Sequence, residues 1–503
     1  MDNRNPDTLD ARIAAQAAEA RRLSGQIVVG GRMQPALATG SFEVENPATE
    51  EIIGEAPRCG EADVEAAVAA ASEAFPKWSR TKARERGATL IAAANHLERH
   101  LEDIARLSSF ETGNALATQS RGEARTMVDI LRYFGGLAGE ILGDTYPGDP
   151  GRMLYTRRDA MGVVGAIIPW NAPLMQTTSK IGPALAAGNT VVLKPAEQAP
   201  LAVVRIFELL QEVLPPGVAN LVTGFGDEAG RLICEHPAVR KITFTGSSAV
   251  GVRIMHYAAE KIVPVTAELG GKNPIIIMED SDIDRAVGGI LQGLRLQRQG
   301  QSCSAGTRIL LHEAVYDRVI EKVIDGVSGF NIGNPLDEAV QIGSIISRKQ
   351  FERVLRYVDM ARETPGARIL CGGDRPAGLE KGYFYTTTLI EGVPETSPVA
   401  CDEIFGPVAT VSKWTDFDAV LKQANDTRYG LAATLFTENL PAAFRFIEEI
   451  EAGFVQVNQF AVAEANIEYG GTKLSGLGRE LSLASMIQHF TWPKTVFMNT
   501  SAA

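Results

Sequence analysis

The feature that most constrains this chain is a regular alternation between residues 163 and 268. Short β-branched runs there are separated by stretches with helical spacing. Val163-Val164-Gly165-Ala166-Ile167-Ile168 reads as a buried strand, and residues 177–187 as a helix ended by Gly188. Residues 190–193 form a second strand, and 201–214 a second helix stopped by Pro215-Pro216-Gly217. A strand at 219–222, a helix, a strand at 241–245, a helix from Ser247 and a strand ending near Glu268 complete the series. Strands that alternate with helices predict a parallel, doubly wound α/β sheet. The rhythm resumes with strands at 275–277, 308–311, 408–412 and 454–457, which predicts a second α/β unit.

A chain of 503 residues exceeds what one hydrophobic core usually covers. Around Pro147, Gly148, Pro150 and Gly151 the rhythm breaks, and the spacing predicts a hairpin; residues 491–499 have strand composition to pair with it. Such exposed strand edges are commonly paired with another subunit. The expected organisation is an extension at 1–23, a first unit at 24–137 and 157–268, a second at 269–485, and a small β arm at 138–156 and 486–503. Leu9, Ile13, Ala17, Ala20 and Leu23 recur at helical spacing, so the extension should be an amphipathic helix lying on the body or on a neighbouring subunit.

The balance of 49 basic against 61 acidic residues argues against a nucleic-acid footprint. No apolar run approaches membrane-spanning length, and the N-terminus has no signal-peptide core. The five scattered cysteines suit neither a disulfide framework nor a zinc site, so a metal-free protein in the reducing cytoplasm is expected.

Chemistry concentrates in a few turns. Cys303 lies in Arg298-Gln299-Gly300-Gln301-Ser302-Cys303-Ser304-Ala305-Gly306, where small residues let a substrate approach the backbone. Upstream stands Ala267-Glu268-Leu269-Gly270-Gly271-Lys272. A thiol and a carboxylate on glycine-rich turns suggest a covalent catalyst with its own water-activating base. A free cysteine is also often just a small buried apolar residue. Lys194-Pro195-Ala196-Glu197 follows a strand at the sheet edge where ligands bind, able to hold a ribose diol or to stand as a solvated pair. Thr245-Gly246-Ser247-Ser248 opens a helix, as a phosphate cradle or an ordinary cap. Gly224-Phe225-Gly226 is a weak glycine signal, and a full Gly-x-Gly-x-x-Gly turn is absent. Pro169-Trp170-Asn171 places a side-chain amide where it could donate to an oxyanion or shape a turn. Glu403-Ile404-Phe405-Gly406-Pro407 reads as a ligand contact or a charged loop.

Taken in order, these motifs, with Phe244-Thr245-Gly246-Ser247, Gly470-Gly471 and Gly476-Leu477-Gly478-Arg479-Glu480, resemble the aldehyde dehydrogenase superfamily over residues 26–499. The resemblance implies two Rossmann-like domains, for cofactor and catalysis, plus a small β oligomerisation arm, assembled as a homodimer or homotetramer. It implies that Cys303 is the nucleophile, Glu268 the base, and Asn171 with the Cys303 amide the oxyanion holder. Lys194 and Glu197 would hold the adenosine ribose, Ser247 the pyrophosphate, and Glu403 the nicotinamide ribose with Phe405 beside it. Ile168, Pro169, Trp170, Gly226, Gly246, Leu269 and Gly270 are further implied cofactor positions. A carboxylate at Glu197 would repel a 2′-phosphate, so NAD is expected over NADP. The presence of Glu268 favours hydrolysis to a free acid over transfer to coenzyme A.

Departures from the resemblance bear on the aldehyde. Ala172, Gln176, Ser179, Gln297 and Ala463, beside Ser302, are small or polar at tunnel positions often bulky in relatives. A wide, wet channel for a bulky or polar aldehyde follows, unless loops refill the space. Phe460 and Tyr469 could supply an aromatic wall. Arg298 stands where an uncharged residue is usual; a bridge to an acidic neighbour is the favoured reading, and a pairing with a substrate carboxylate the other. Glu464 and Glu468 could instead draw a cation. The alternative functions are a semialdehyde dehydrogenase, a non-catalytic family member and a thiol esterase.

Overall fold

The computed structural model describes residues 8–460 and 464–500. Its first sheet has eight strands, in the order Arg32–Pro35, Gln26–Val29, Ala219–Leu221, Thr190–Lys194, Val163–Ile167, Val239–Thr245, Val265–Glu268 and Gly476–Leu477. The five strands from Ala219–Leu221 to Val265–Glu268 are parallel to one another. Those at both edges are antiparallel to their neighbours. The chain winds outward in one direction from Val163–Ile167 and in the other from Val239–Thr245. Loops leaving these two adjacent strands therefore diverge and open a crevice at their carboxyl ends.

Side chains alternate across these buried strands. Val164, Ala166, Val191 and Leu193 pack against Ile181, Ala184 and Leu185 on one face. Val163, Ile167, Val192, Ile242 and Phe244 pack against Val64, Ala67 and Val68 on the other, with Ile254 and Ala258. One helix differs from expectation. It spans Pro173–Ala186 and so starts directly behind Asn171-Ala172. Pro173 needs no N–H partner in the first turn and has a φ already suited to a helix, which favours the earlier start. Ala172 offers no side-chain cap. Glu123 substitutes for it, accepting from the amides of Leu174 at 2.8 Å and Met175 at 3.3 Å.

A second sheet of seven strands runs Arg368–Cys371, Thr388–Glu391, Val408–Trp414, Arg308–His312, Pro274–Ile277, Ala432–Phe436, Phe454–Val457. All but the first edge strand are parallel. A third sheet pairs Thr491–Asn499 with Arg152–Ala160, in register from Thr491↔Ala160 to Asn499↔Arg152, and adds Thr145–Tyr146. The hairpin thus exists, and its long strand continues past residue 156. Its apolar side chains remain uncovered, with Phe497 75% exposed and Met153, Trp492 and Met498 also exposed. The helix Leu9–Leu23 lies on its own chain, with Ala20 and Leu23 buried and Leu9, Ile13 and Ala17 against the same core. No described helix is long and apolar enough to cross a membrane.

Candidate active site

The crevice between the diverging loops is a cavity of about 720 Å³. Pro169, Trp170, Asn171 and Gln176 line it from the first loop and helix, and Gly246, Ser247, Leu269 and Gly270 from the next strand ends. Cys303, Glu403 and Phe405 close it from the second unit. Residues far apart in the chain are thus brought together. Ile168, Lys194, Glu197, Gly226 and Glu268 stand outside this lining.

Local backbone positions the thiol. The short turn Leu296–Arg298 is flanked by Arg295 and Gln299, both left-handed at φ 54° and 53°. Gly300 follows at φ 69°, and a Cβ there would stand 2.1 Å from the Gly406 carbonyl. Only glycine fits that approach, which presses the Cys303 loop onto the loop of Glu403. The Cys303 sulfur lies 3.5 Å from the Tyr469 hydroxyl. Burial pushes the thiol above its ordinary range, and the Tyr469 hydrogen bond and the Arg298 charge partly offset that.

Asn171 donates its side-chain amide to the Gln301 carbonyl at 3.0 Å, while Asn114 donates to the Asn171 carbonyl at 3.2 Å. The amide is thereby held against the Cys303 loop. Glu268 ends its strand, and its carboxylate is buried with no hydrogen bond from any described residue. A Cβ on Gly470 would reach Glu268 Oε1 at 2.7 Å, so that glycine admits the carboxylate. Burial first, then the Glu480 charge, raises the Glu268 carboxyl well above the carboxylate range; Lys180 and Arg479 work against this. Behind it, buried Lys180 pairs with Glu480, which also accepts from Thr243 Oγ1 at 3.3 Å.

Glu403 Oε1 accepts from the Gly271 amide at 3.0 Å. Burial pushes this carboxyl up to about 7. Phe405, left-handed at φ 61°, sets its ring edge-on to Trp170 at 5.3 Å and 88°. Arg353 and Gln350 were not legible as site residues. Arg353 donates to the Glu403 carbonyl at 2.7 Å and Gln350 to the Phe405 carbonyl at 2.8 Å, fixing this loop. Their only signal is a shared face, since they lie three apart on the helix Arg348–Glu363.

Lys194 is buried, donating to the carbonyls of Pro195 at 2.6 Å and Gly224 at 2.7 Å. Burial lowers its ammonium to about 8. Glu197 is half-buried and accepts from Gln198 at 3.2 Å. Ile168 is buried and donates its amide to the Lys194 carbonyl at 3.1 Å. Gly226 opens the short turn Gly226–Gly230, with open space where a Cβ would stand. Ser247 caps the helix Ser248–Ala259, accepting from the Val250 amide at 3.4 Å.

Among the positions expected to line a substrate channel, Ala172 is buried. Ser179 donates to the Gln176 carbonyl at 3.0 Å, and Ser302 lies 3.2 Å from the Ser304 hydroxyl. Gln297 is half-buried. Ala463 lies outside the described residues. Tyr469, expected as wall, also meets the sulfur directly, and its ring packs edge-on to Phe454 at 5.4 Å. Glu468 accepts from the Ser482 hydroxyl at 3.4 Å. The favoured bridge from Arg298 to an acid is not formed. Glu123 is the acid nearby, but its oxygens are taken by Leu174, Met175 and Gln119.

The chain matches the model of the aldehyde dehydrogenase family over residues 35–496. It is 40% identical over 465 residues to the mitochondrial aldehyde dehydrogenase family 2 member B4 of Arabidopsis thaliana, covering 92% of this chain and 86% of that one. The NAD⁺ complex of an aldehyde dehydrogenase from Bacillus cereus superposes with a TM-score of 0.93 at 36% identity, covering 98% and 99% of the two chains. An NADP-dependent enzyme from E. coli superposes at 0.92 and 36% identity, covering 95% and 99%. The family model and these relatives match nearly the whole length of the chain, and on that likeness the chain belongs to the aldehyde dehydrogenase family.

Proposed function

We propose that the protein oxidises a polar or bulky aldehyde to the free carboxylic acid, with NAD as acceptor, through a covalent adduct on Cys303. The observation that carries this reading is the placement of the Cys303 sulfur on one cavity with Glu403, Phe405 and the amides that open the helix Ser248–Ala259. That cavity suits a dinucleotide. Thr245 Oγ1 on its wall is buried with no hydrogen-bond partner, and the helix start offers unpaired amides to a pyrophosphate. Glu403 would hold the nicotinamide ribose, Ser247 the pyrophosphate, and Lys194 with Glu197 the adenosine ribose. When bound, the nicotinamide supplies the hydride acceptor.

The chain's own residues do the rest. Deprotonated Cys303 adds to the aldehyde carbon, and the oxyanion of the resulting thiohemiacetal is met by the Asn171 amide. Loss of hydride leaves a thioester on the sulfur. Glu268 then takes a proton from water, the hydroxide displaces the sulfur, and the acid departs. Polar Gln176, Gln297 and Ser302 on the aldehyde side support a substrate that is not a short alkyl aldehyde. The test is NADH formation across aliphatic, aromatic, amino and carboxy aldehydes; oxidation of none of them with either dinucleotide would overturn the reading.

Two results follow for the cofactor. Glu197→Ser removes the charge that would meet a 2′-phosphate, so kcat/KM for NADP relative to NAD should rise about tenfold. An unchanged ratio removes Glu197 from the ribose. In Gly270→Ala the new Cβ would lie 2.1 Å from Glu403 Oε2. Moving that carboxylate should weaken dinucleotide binding about tenfold in a fluorescence titration; undiminished affinity would remove Glu403 from the site. The uncovered apolar residues of the third sheet support assembly with further copies of the chain, as a dimer or tetramer. The five unpaired cysteines suit a reducing compartment such as the cytoplasm.

A further inference from the structure

Arg295 and Arg298 are buried beside the nucleophile, 4% and 7% exposed. They sit at the start and the end of the turn that delivers Cys303. The Nε of each is buried without a hydrogen-bond partner, and among the described residues neither side chain forms an ion pair. Arg295 has its guanidinium carbon 6.0 Å from the centre of the Phe460 ring, a contact that eases burial without neutralising charge. Glu123 feels the Arg298 charge, but it accepts hydrogen bonds from two helix amides and Gln119 and none from the guanidinium. Two like charges taken out of water are costly unless an anion meets them.

Their location narrows what that anion is. Cys303 lines the dinucleotide-sized cavity, and neither arginine does. Arg295 stands over the Phe460 ring with its charge acting on Tyr469 and Cys303, and the Arg298 charge acts on Cys303 as well. A role in lowering the thiol is minor, because burial of Cys303 outweighs the Arg298 charge. Resting on the aldehyde-oxidising reading above, we propose that Arg295 and Arg298 select an aldehyde that carries a carboxylate at the end remote from its carbonyl. A planar guanidinium matches a carboxylate with two parallel N–H donors, and a neutral tail would leave both cations unsatisfied.

The test uses the full-length protein with NAD. Values of kcat/KM are compared for 5-oxopentanoate, its methyl ester and pentanal. The carboxylate substrate should be preferred by at least about tenfold. Arg298→Gln and Arg295→Gln should each cut that preference about tenfold, mainly through KM, with Arg298→Lys retaining part of it. A wild type indifferent to the carboxylate, or variants that lose acid and ester equally, overturns the proposal. A second measurement needs no turnover: glutarate should slow alkylation of Cys303 by neutral iodoacetamide in the wild type and fail to do so in Arg298→Gln. If no aldehyde is oxidised, the enzymatic reading falls, and glutarate protection still decides the anion site; absence of protection overturns it.

Discussion

Cys303→Ala is expected to lower steady aldehyde oxidation by at least about a thousandfold while dinucleotide affinity stays within about twofold of wild type. Among the described residues the sulfur's hydrogen-bond contact is with the Tyr469 hydroxyl at 3.5 Å, so alanine removes the thiol and leaves the loop's backbone contacts. The Asn171 bond to the Gln301 carbonyl does not involve the sulfur and should persist. NADH production and a fluorescence titration separate the two effects. Turnover near that of wild type would remove the sulfur from the chemistry. Because burial holds the thiol above its ordinary range, the nucleophilic form grows as pH rises, and alkylation of Cys303 should still be accelerating beyond the pH at which a free cysteine levels off.

Glu268→Gln is expected to cut steady turnover by about a hundredfold or more while sparing the first turnover, giving a burst of NADH equal to the sites present. The glutamine keeps the shape but cannot take a proton from water, so the thioester accumulates. The pH dependence follows the same group. Its carboxyl is raised by burial and by Glu480, so it is protonated and inactive as a base on the acid side of that raised value. The wild-type steady rate should therefore fall as pH is lowered through that range, and this limb should be missing in the variant. A steady rate equal to wild type, or an unchanged acid limb, takes the base role away from Glu268.

Much of the fold was legible because β-branched runs and helical spacing report burial directly. The parallel strands at Val163–Ile167, Thr190–Lys194 and Val265–Glu268 fall where the pattern puts them, within a residue or two. The start of the helix at Pro173 was misplaced although a proline in the first turn marks it locally; only its cap, from Glu123, has no local pattern to link it. The glycine-rich turns marked Cys303 and Glu268 as candidates, and the structure sets the first on the cavity wall. Arg353 and Gln350 were invisible because they act on backbone carbonyls about fifty positions away. The unpaired state of Arg298 was equally hidden: a bridge to an acidic neighbour was the favoured reading, but Glu123 accepts from two helix amides and Gln119 instead.

The strand that carries Glu268 gains its outer neighbour only from Ala267↔Leu477 and Glu268↔Gly476. Its carboxylate is then flanked by Gly470 and backed by Glu480. The same stretch also reaches the rest of the crevice, since Leu474 lines it and the Tyr469 hydroxyl meets the Cys303 sulfur. Chains ending before this segment would still carry Cys303 and Glu268, but would lack the strand partner, the glycine and the second carboxylate that surround Glu268.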